Sequence, residues 1–326
     1  MCALFGFLDY GKKIPWKTLQ RLVQALANAS EIRGKHASGI SYNSGGELRI
    51  YKRPKPAHRM HFHIPHGTAV VMGHTRLTTQ GDQKHNQNNH PFRGYAGTEF
   101  ALAHNGVLYN DMLLRGERQL PDTPIETDSY IAVQLIESQQ ELTFDSLRFM
   151  AEQVRGSFTF TLLDEDNSLY FVKGDSPLYL LHVPSLGLYL YTSTQDIMTE
   201  ALRSLHLRLP KHEVIEIAEG DLLRIAPDGT MSRDRFTFRE DDLYTHWFGR
   251  GYYYGCGFNW KDTFAESRSH KPDDETDAYL IDLCGYYGVA LEDVQRLRDL
   301  GYTLDEIEEL LLDPDSYGFE LAIAEI

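Results

Sequence analysis

Cysteine is scarce in this chain of 326 residues: three in all, Cys2, Cys256 and Cys284. They stand far apart and form no Cys-x-x-Cys pair, which argues against a disulfide framework and a zinc cluster. A reducing, cytoplasmic setting is the expectation. Long apolar runs are missing too. Nothing approaches the roughly 18 consecutive apolar residues that a membrane-spanning helix needs, and the first residues lack the basic segment and apolar core of a signal peptide. Positive charge is in deficit, with 32 Lys and Arg against 47 Asp and Glu and a net charge of −15. A nucleic-acid binder needs a basic footprint, so that class is excluded. No internal repeat is present.

What remains is the composition of a globular protein able to bury a large core. Its charge is uneven. Residues 239–326 hold 21 acidic and 7 basic side chains, or −14, whereas residues 1–238 hold 26 and 25, or −1. That shift implies a first domain over 2–238, an aromatic and polar linker over 239–275 and a small acidic helical module over 276–326. The linker carries Tyr252-Tyr253-Tyr254-Gly255-Cys256-Gly257, which reads as a segment packed on the first domain or as a partner surface. Within the module, 277–287, 291–300 and 304–312 read as short helices, with Gly301 where a helix should stop.

In the first domain, residues 2–8 read as a strand and 16–28 as an amphipathic helix with Leu19, Leu22, Val23 and Leu26 on one face. A hairpin is expected around Ser44-Gly45-Gly46. His61 and His63 share one face of an extended run and could ligate a metal. No carboxylate or cysteine completes a set nearby, so a solvated His-rich loop is the preferred reading and no metal is expected. Residues 69–73 form a buried strand that delivers His74-Thr75-Arg76 to a loop, and 100–103 another that delivers His104-Asn105-Gly106 at its end. Thr127-Asp128-Ser129 reads as the cap of a helix over 130–137. A helix at 144–154, strands at 157–163, 169–173, 178–182 and 188–192, a helix at 195–205, and strands at 214–219 and 221–225 follow. Strands interleaved with few helices make an α+β arrangement.

Cys2 follows the initiator methionine. Once Met1 is removed, one residue carries both a thiol and an α-amine that titrates near ~7.7–8.0. A thiol needs a base to become a good nucleophile, and that amine can serve, directly or through a water. A second-position cysteine is also what a small buried residue looks like, so company decides between the two.

That company is Arg33-Gly34-x-x-Ala37-Ser38-Gly39-Ile40, Gly73-His74-Thr75-Arg76, His90-Pro91, His104-Asn105-Gly106 and Thr127-Asp128. With Cys2 in front, these runs occur in the order and spacing of the class II glutamine amidotransferase domain, and the resemblance covers residues 2–225. Singly, Arg76 reads equally as a surface ion-pair residue, Asn105-Gly106 as a turn and Asp128 as a helix cap; together they reverse that reading. The resemblance implies an N-terminal-nucleophile hydrolase, a four-layer αββα sandwich, with the small acidic helical module appended. It implies Cys2 as nucleophile, Asn105 and Gly106 as oxyanion donors, Arg76, Thr79 and Asp128 as glutamine-binding residues, and Arg33 as support for the nucleophile's strand. A zwitterionic substrate requires one cation and one anion, which Arg76 and Asp128 supply. Many members have Arg-Trp-x-Thr-His where this chain has Arg76-Leu77-Thr78-Thr79-Gln80; leucine in the tryptophan place resembles the asparagine synthetase branch.

Members of this family feed ammonia to a synthase. No synthase motif is found here: Ser44-Gly45-Gly46 is a turn rather than a pyrophosphate loop, and about ninety residues after the domain are too few for a synthase. The expectation is therefore a stand-alone L-glutamine amidohydrolase without cofactor, with an ammonia-accepting synthase on a separate chain. A γ-glutamyl hydrolase acting on a larger compound and a non-catalytic scaffold are the alternatives.

Overall fold

A computed structural model of the chain describes residues 2–238, 284, 289–299 and 307. In chain order the elements begin β1 (Ala3–Asp9), α1 (Trp16–Ser30), β2 (Ala37–Ser44), β3 (Glu47–Arg53), β4 (Val70–Arg76), β5 (Phe92–Tyr95) and β6 (Glu99–Leu108). Helices α2 (Asp111–Arg118), α3 (Tyr130–Glu137) and α4 (Phe144–Gln153) follow. Then come β7 (Gly156–Asp164), β8 (Leu169–Lys173), β9 (Tyr179–Val183), β10 (Leu188–Thr192), α5 (Gln195–Ser204), β11 (Glu213–Val214), β12 (Asp221–Ile225) and β13 (Met231–Arg235).

The strands form two antiparallel sheets, ordered β11-β9-β10-β1-β4-β2-β3 and β13-β12-β8-β7-β6-β5. Strand β1 shows why they stack. Side chains alternate across a strand, and here both faces are apolar: Phe5 and Phe7 turn toward α1 and α5, Leu4 and Leu8 toward the other sheet. All seven of its residues are buried, as a central strand covered on both sides must be. Between the sheets Leu4, Leu8 and Met72 meet Ala101, Leu163 and Phe171. On the far side Ile131, Leu135, Leu147 and Met150 of α3 and α4 cover Phe100, Leu102 and Phe160. Helix, sheet, sheet, helix is the αββα sandwich expected.

Local chemistry sets the boundaries. Gly45 and Gly46 both adopt positive φ, 63° and 78°, which the two-residue hairpin between β2 and β3 requires. Thr143 and Ser146 form a reciprocal capping box at the start of α4, a device worth about 1 kcal/mol. The segment before β4 runs extended, with Phe62 and Ile64 buried and His61 and His63 exposed. Gln20 and Gln24 of α1 hold it by hydrogen bonds to the main chain of Phe62 and Ile64. Those two histidines are thus the outward half of an alternating pattern.

Several expectations change. Strands β5 and β13 and helix α2 were not foreseen; β5 and β13 are the two opposite edge strands of their sheet, and α2 is a short helix with five exposed residues in eight. His74–Arg76 is the last stretch of β4 and not a loop, and His104–Gly106 lies within β6 and not at its end. The β2–β4 ladder reaches Arg76, opposite Ala37, and the β6–β7 ladder runs through Gly106, opposite Phe158. Asp128 does not cap α3: Ser129 occupies that place without a side-chain bond.

The chain divides into two units, Met1–Phe248 and Gly249–Ile326. In the second, Leu291–Asp299 is a helix, α6. The expected helices at 277–287 and 304–312, and the 239–275 linker, lie outside the described residues save single helical positions at Cys284 and Ile307. No helix among the described residues is long and apolar enough to cross a membrane.

Candidate active site

Cys2 lies just ahead of β1, 8% exposed, and β1 pairs with β4 so that Ala3 is opposite Thr75. The thiol therefore sits beside the end of β4 that carries Arg76. Its Sγ donates to the Leu77 carbonyl at 3.5 Å. Burial pushes the thiol pKa up, and the Arg76 and Asp128 charges both act on it, Arg76 lowering and Asp128 raising. A thiol held neutral in this way needs a base before it can attack. The Cys2 carbonyl accepts from Arg33 Nε at 2.8 Å, which ties Cys2 to the turn after α1.

Arg76 is 3% exposed. Its Nη1 donates to Asn89 Oδ1 at 2.7 Å, and its Nη2 to the carbonyls of Gln80 and Gly81 at 2.6 and 2.9 Å. The guanidinium thus folds residues 77–89 back over the end of β4. Asn88 and Asn89, both fully buried, tie that loop further through Glu126, Asp82 and Gln83. Lys52 of β3 holds its far end through the carbonyls of Asn89 and Pro91. Gln80 reaches Asp111 Oδ2 at 3.3 Å and the Glu126 carbonyl at 3.1 Å. Thr79 is exposed, whereas Thr78 is buried with a hydroxyl that has no hydrogen-bond partner.

Asp128 is 3% exposed. Its Oδ2 accepts the Leu108 amide at 2.6 Å, so the carboxylate leans on the end of β6. Burial raises its pKa to about 6, with nearby Asp111 adding to the rise and Leu108 and Arg76 opposing it.

Asn105 is fully buried on β6, and neither its Oδ1 nor its Nδ2 has a hydrogen-bond partner. Leaving such a group unmet costs on the order of 1–3 kcal/mol. Gly106 beside it has φ +143°, and a Cβ there would lie 1.9 Å from the Ser157 carbonyl oxygen. Only glycine fits. His104 anchors this stretch. Its Nε2 faces the Ser157 carbonyl at 3.3 Å and must donate, which leaves Nδ1 to accept from Ser129 Oγ at 2.8 Å. His74 Nε2 in turn donates to the His104 carbonyl at 2.9 Å. Burial holds the pKa of both imidazoles down to about 3, so they stay neutral and their tautomers are set. Because His74 is opposite Leu4 on β1, this bond brings the His104–Asn105 stretch of β6 over the part of β1 next to Cys2.

The structure thus gathers Cys2, Arg33, Arg76, Asp128, Asn105 and Gly106 at one end of the sandwich, with Thr79 turned outward. His36, Asp111 and Ser129 also belong to the neighbourhood. Of these, Ser129 was read only as part of a helix cap, a place it does occupy though its hydroxyl serves His104 instead, and His36 and Asp111 carried no signal. Among the described residues no group of three or more His, Cys, Asp or Glu side chains could hold a metal ion.

Residues 74–199 match the glutamine amidotransferase domain family. The chain carries a class II glutamine amidotransferase domain. It is similar to the glutamine–fructose-6-phosphate aminotransferase (isomerizing) of Staphylococcus aureus strain Mu50, with 30% identity over 252 residues, 72% of this chain and 39% of that protein. The enzyme of the same name from Bacillus cereus is 30% identical over 188 residues, 55% of this chain and 30% of the relative. This chain therefore spans well under half the length of these curated relatives. Among solved structures, the glutamine phosphoribosylpyrophosphate amidotransferase of B. subtilis superposes with a TM-score of 0.55 at 21% identity, over 73% of this chain and 50% of that one. That likeness speaks to the fold. In the amidotransferase domain described here, the match begins at His74, on the strand that ends in Arg76, and runs through β6 and α3.

Proposed function

We propose that this domain hydrolyses the side-chain amide of free L-glutamine. The observation that carries the reading is that a buried cation, Arg76, ends the strand paired beside Cys2, while a buried anion, Asp128, is bonded to the end of the strand that bears Asn105 and Gly106. A free α-amino acid has a carboxylate and an ammonium to match them. With Met1 removed, the Cys2 amine takes the thiol proton and the sulfur attacks the amide carbon. The oxyanion that develops is met by the unpaired Asn105 amide and the Gly106 N–H. Such donors serve catalysis because they await charge that appears only along the reaction path. The protonated amine hands its proton to the amide nitrogen, ammonia leaves, a γ-glutamyl thioester remains, and water, activated by the amine now neutral again, hydrolyses it to glutamate and restores the thiol. Arg33 steadies the nucleophile by its bond to the Cys2 carbonyl, and the exposed Thr79 is left as a glutamine-binding residue only by the resemblance.

The ammonia goes to a synthase on a separate chain, in a cytoplasmic setting; the relatives named above are aminotransferases more than twice this chain's matched span. The test is ammonia release from glutamine by the wild-type protein and by Cys2→Ala, with intact mass after treatment with diazo-oxo-norleucine. Wild-type protein lacking Met1, releasing ammonia and gaining one adduct that Cys2→Ala does not gain, supports the reading. A retained Met1 with no adduct overturns it. Running γ-glutamyl peptides beside glutamine separates an amidohydrolase from a γ-glutamyl hydrolase.

A further inference from the structure

His36 lies in the turn between α1 and β2, half-buried, and grips the residues after β4 at two points. Its main-chain N–H donates to the Arg76 carbonyl at 3.0 Å. Its ring Nδ1 accepts the Thr78 N–H, also at 3.0 Å. The two bonds bracket Leu77. Close approach is built in two residues earlier, where a Cβ on Gly34 would meet the Arg76 carbonyl carbon and the Leu77 nitrogen at 2.4 Å each.

The Thr78 N–H belongs to the same rigid peptide unit as the Leu77 carbonyl, and that carbonyl is the acceptor for Cys2 Sγ. One planar group thus has the thiol at its oxygen and His36 at its hydrogen. A rotation of the Leu77–Thr78 peptide would swing the oxygen away from sulfur, and the His36 ring opposes that rotation. We propose that His36 is a positioning residue that aims the Cys2 thiol by locking the Leu77–Thr78 peptide. The inference rests on Cys2 being the nucleophile of the proposed reaction.

The arrangement demands a neutral ring with its proton on Nε2, because an Nδ1 that bears hydrogen cannot accept from an amide. Burial, with Arg76 close by, holds the His36 pKa down to about 4, which keeps that form through the neutral range.

The experiment compares His36→Phe, which keeps the ring volume and removes the acceptor, with His36→Asn, whose side-chain oxygen can reach the Nδ1 position. Two rates are read on protein whose thermal melt shows it folded: alkylation of Cys2 by iodoacetamide, located by mass spectrometry, and glutamine turnover. A displaced nucleophile costs on the order of 10- to 100-fold. His36→Phe is expected to lose that much in kcat with a smaller change in KM, to show an altered Cys2 alkylation rate, and to be rescued to within about threefold by Asn. His36→Phe with wild-type kcat and alkylation, or His36→Asn no better than Phe, overturns the proposal. Should Phe fail to fold, the wild-type protein decides: nitrogen-15 NMR at pH 7 is expected to show the Nε2–H tautomer at His36, and an Nδ1–H tautomer overturns it. Alkylation and tautomer need no glutamine turnover, so failure of the proposed reaction would register separately, as wild-type protein that releases no ammonia.

Discussion

Asp128 and Leu108 are joined by a 2.6 Å hydrogen bond from the Leu108 amide to the carboxylate, at the junction of α3 and the end of β6. This bond makes Asp128, the residue before the Ser129 cap of α3, a buried acceptor tied to the strand that bears Asn105 and Gly106. Its raised pKa, about 6 against an ordinary 3.8, gives it two pH signatures.

The functional signature concerns substrate binding. An ammonium is held by the ionised carboxylate, which is lost as pH falls through about 6. The expected result is a kcat/KM for glutamine that declines roughly tenfold per pH unit below that point. In Asp128→Asn the limb disappears and KM is high at every pH. A pH series of initial rates for the two proteins checks this.

The stability signature has the opposite sense. A carboxyl whose folded pKa lies above its unfolded value penalises folding when ionised. The penalty is absent below the ordinary range near 4, grows as pH rises from there to about 6, and is complete above it. A shift of about two units corresponds to about 3 kcal/mol for this buried group. Asp128→Asn is therefore expected to melt higher relative to wild type at pH 8 than at pH 4, as thermal unfolding at the two pH values would show.

Asn105→Ala separates activity from stability. The side chain is buried with neither polar atom bonded, so its removal relieves an unmet group and leaves only a small cavity. The melting temperature is expected to change by no more than a few degrees. Turnover is expected to fall on the order of 100- to 1,000-fold with KM little altered, because the oxyanion is absent from the ground state. Steady-state kinetics and a melt of the same preparation measure both.

Arg76→Lys tests the fork. Lysine has a single point of charge and cannot span Asn89, Gln80 and Gly81 in the guanidinium's geometry. KM for glutamine is expected to rise at least about tenfold, and the 77–89 loop to become a site of limited proteolysis. Unchanged affinity would remove Arg76 from carboxylate binding.

Gly106→Ala meets the Ser157 carbonyl at 1.9 Å in a backbone region with φ +143°. The ladder between β6 and β7 must shift to admit it. Loss of several kcal/mol of stability is expected, seen as a lower denaturant midpoint, together with loss of glutaminase activity.

Residues close in sequence carried most of what could be read without coordinates. The apolar run of Ala3–Asp9, the amphipathic face of Trp16–Ser30, the two-glycine hairpin and the span of Tyr130–Glu137 are local patterns, and local patterns are visible in a string of letters. The candidate residues from Cys2 to Asp128 were picked out by the order and spacing of their motifs, which resemble those of the class II glutamine amidotransferase domain. Position within the set was another matter. His74 and Asn105 read as loop residues because polar side chains interrupt an apolar run, yet they are strand interiors facing a site between two sheets. Asp128 read as a cap because capping needs only its neighbours, whereas its bond to Leu108 needs β6 brought alongside. His36 carried no signal, since its partners are the main-chain groups of Arg76 and Thr78, about forty residues away. Sequence decided which groups exist and which strands form. Pairing of β1 with β4 and stacking of β6 over both decided which groups meet, because hydrogen bonds to main chain depend on where the chain passes and not on what it is made of.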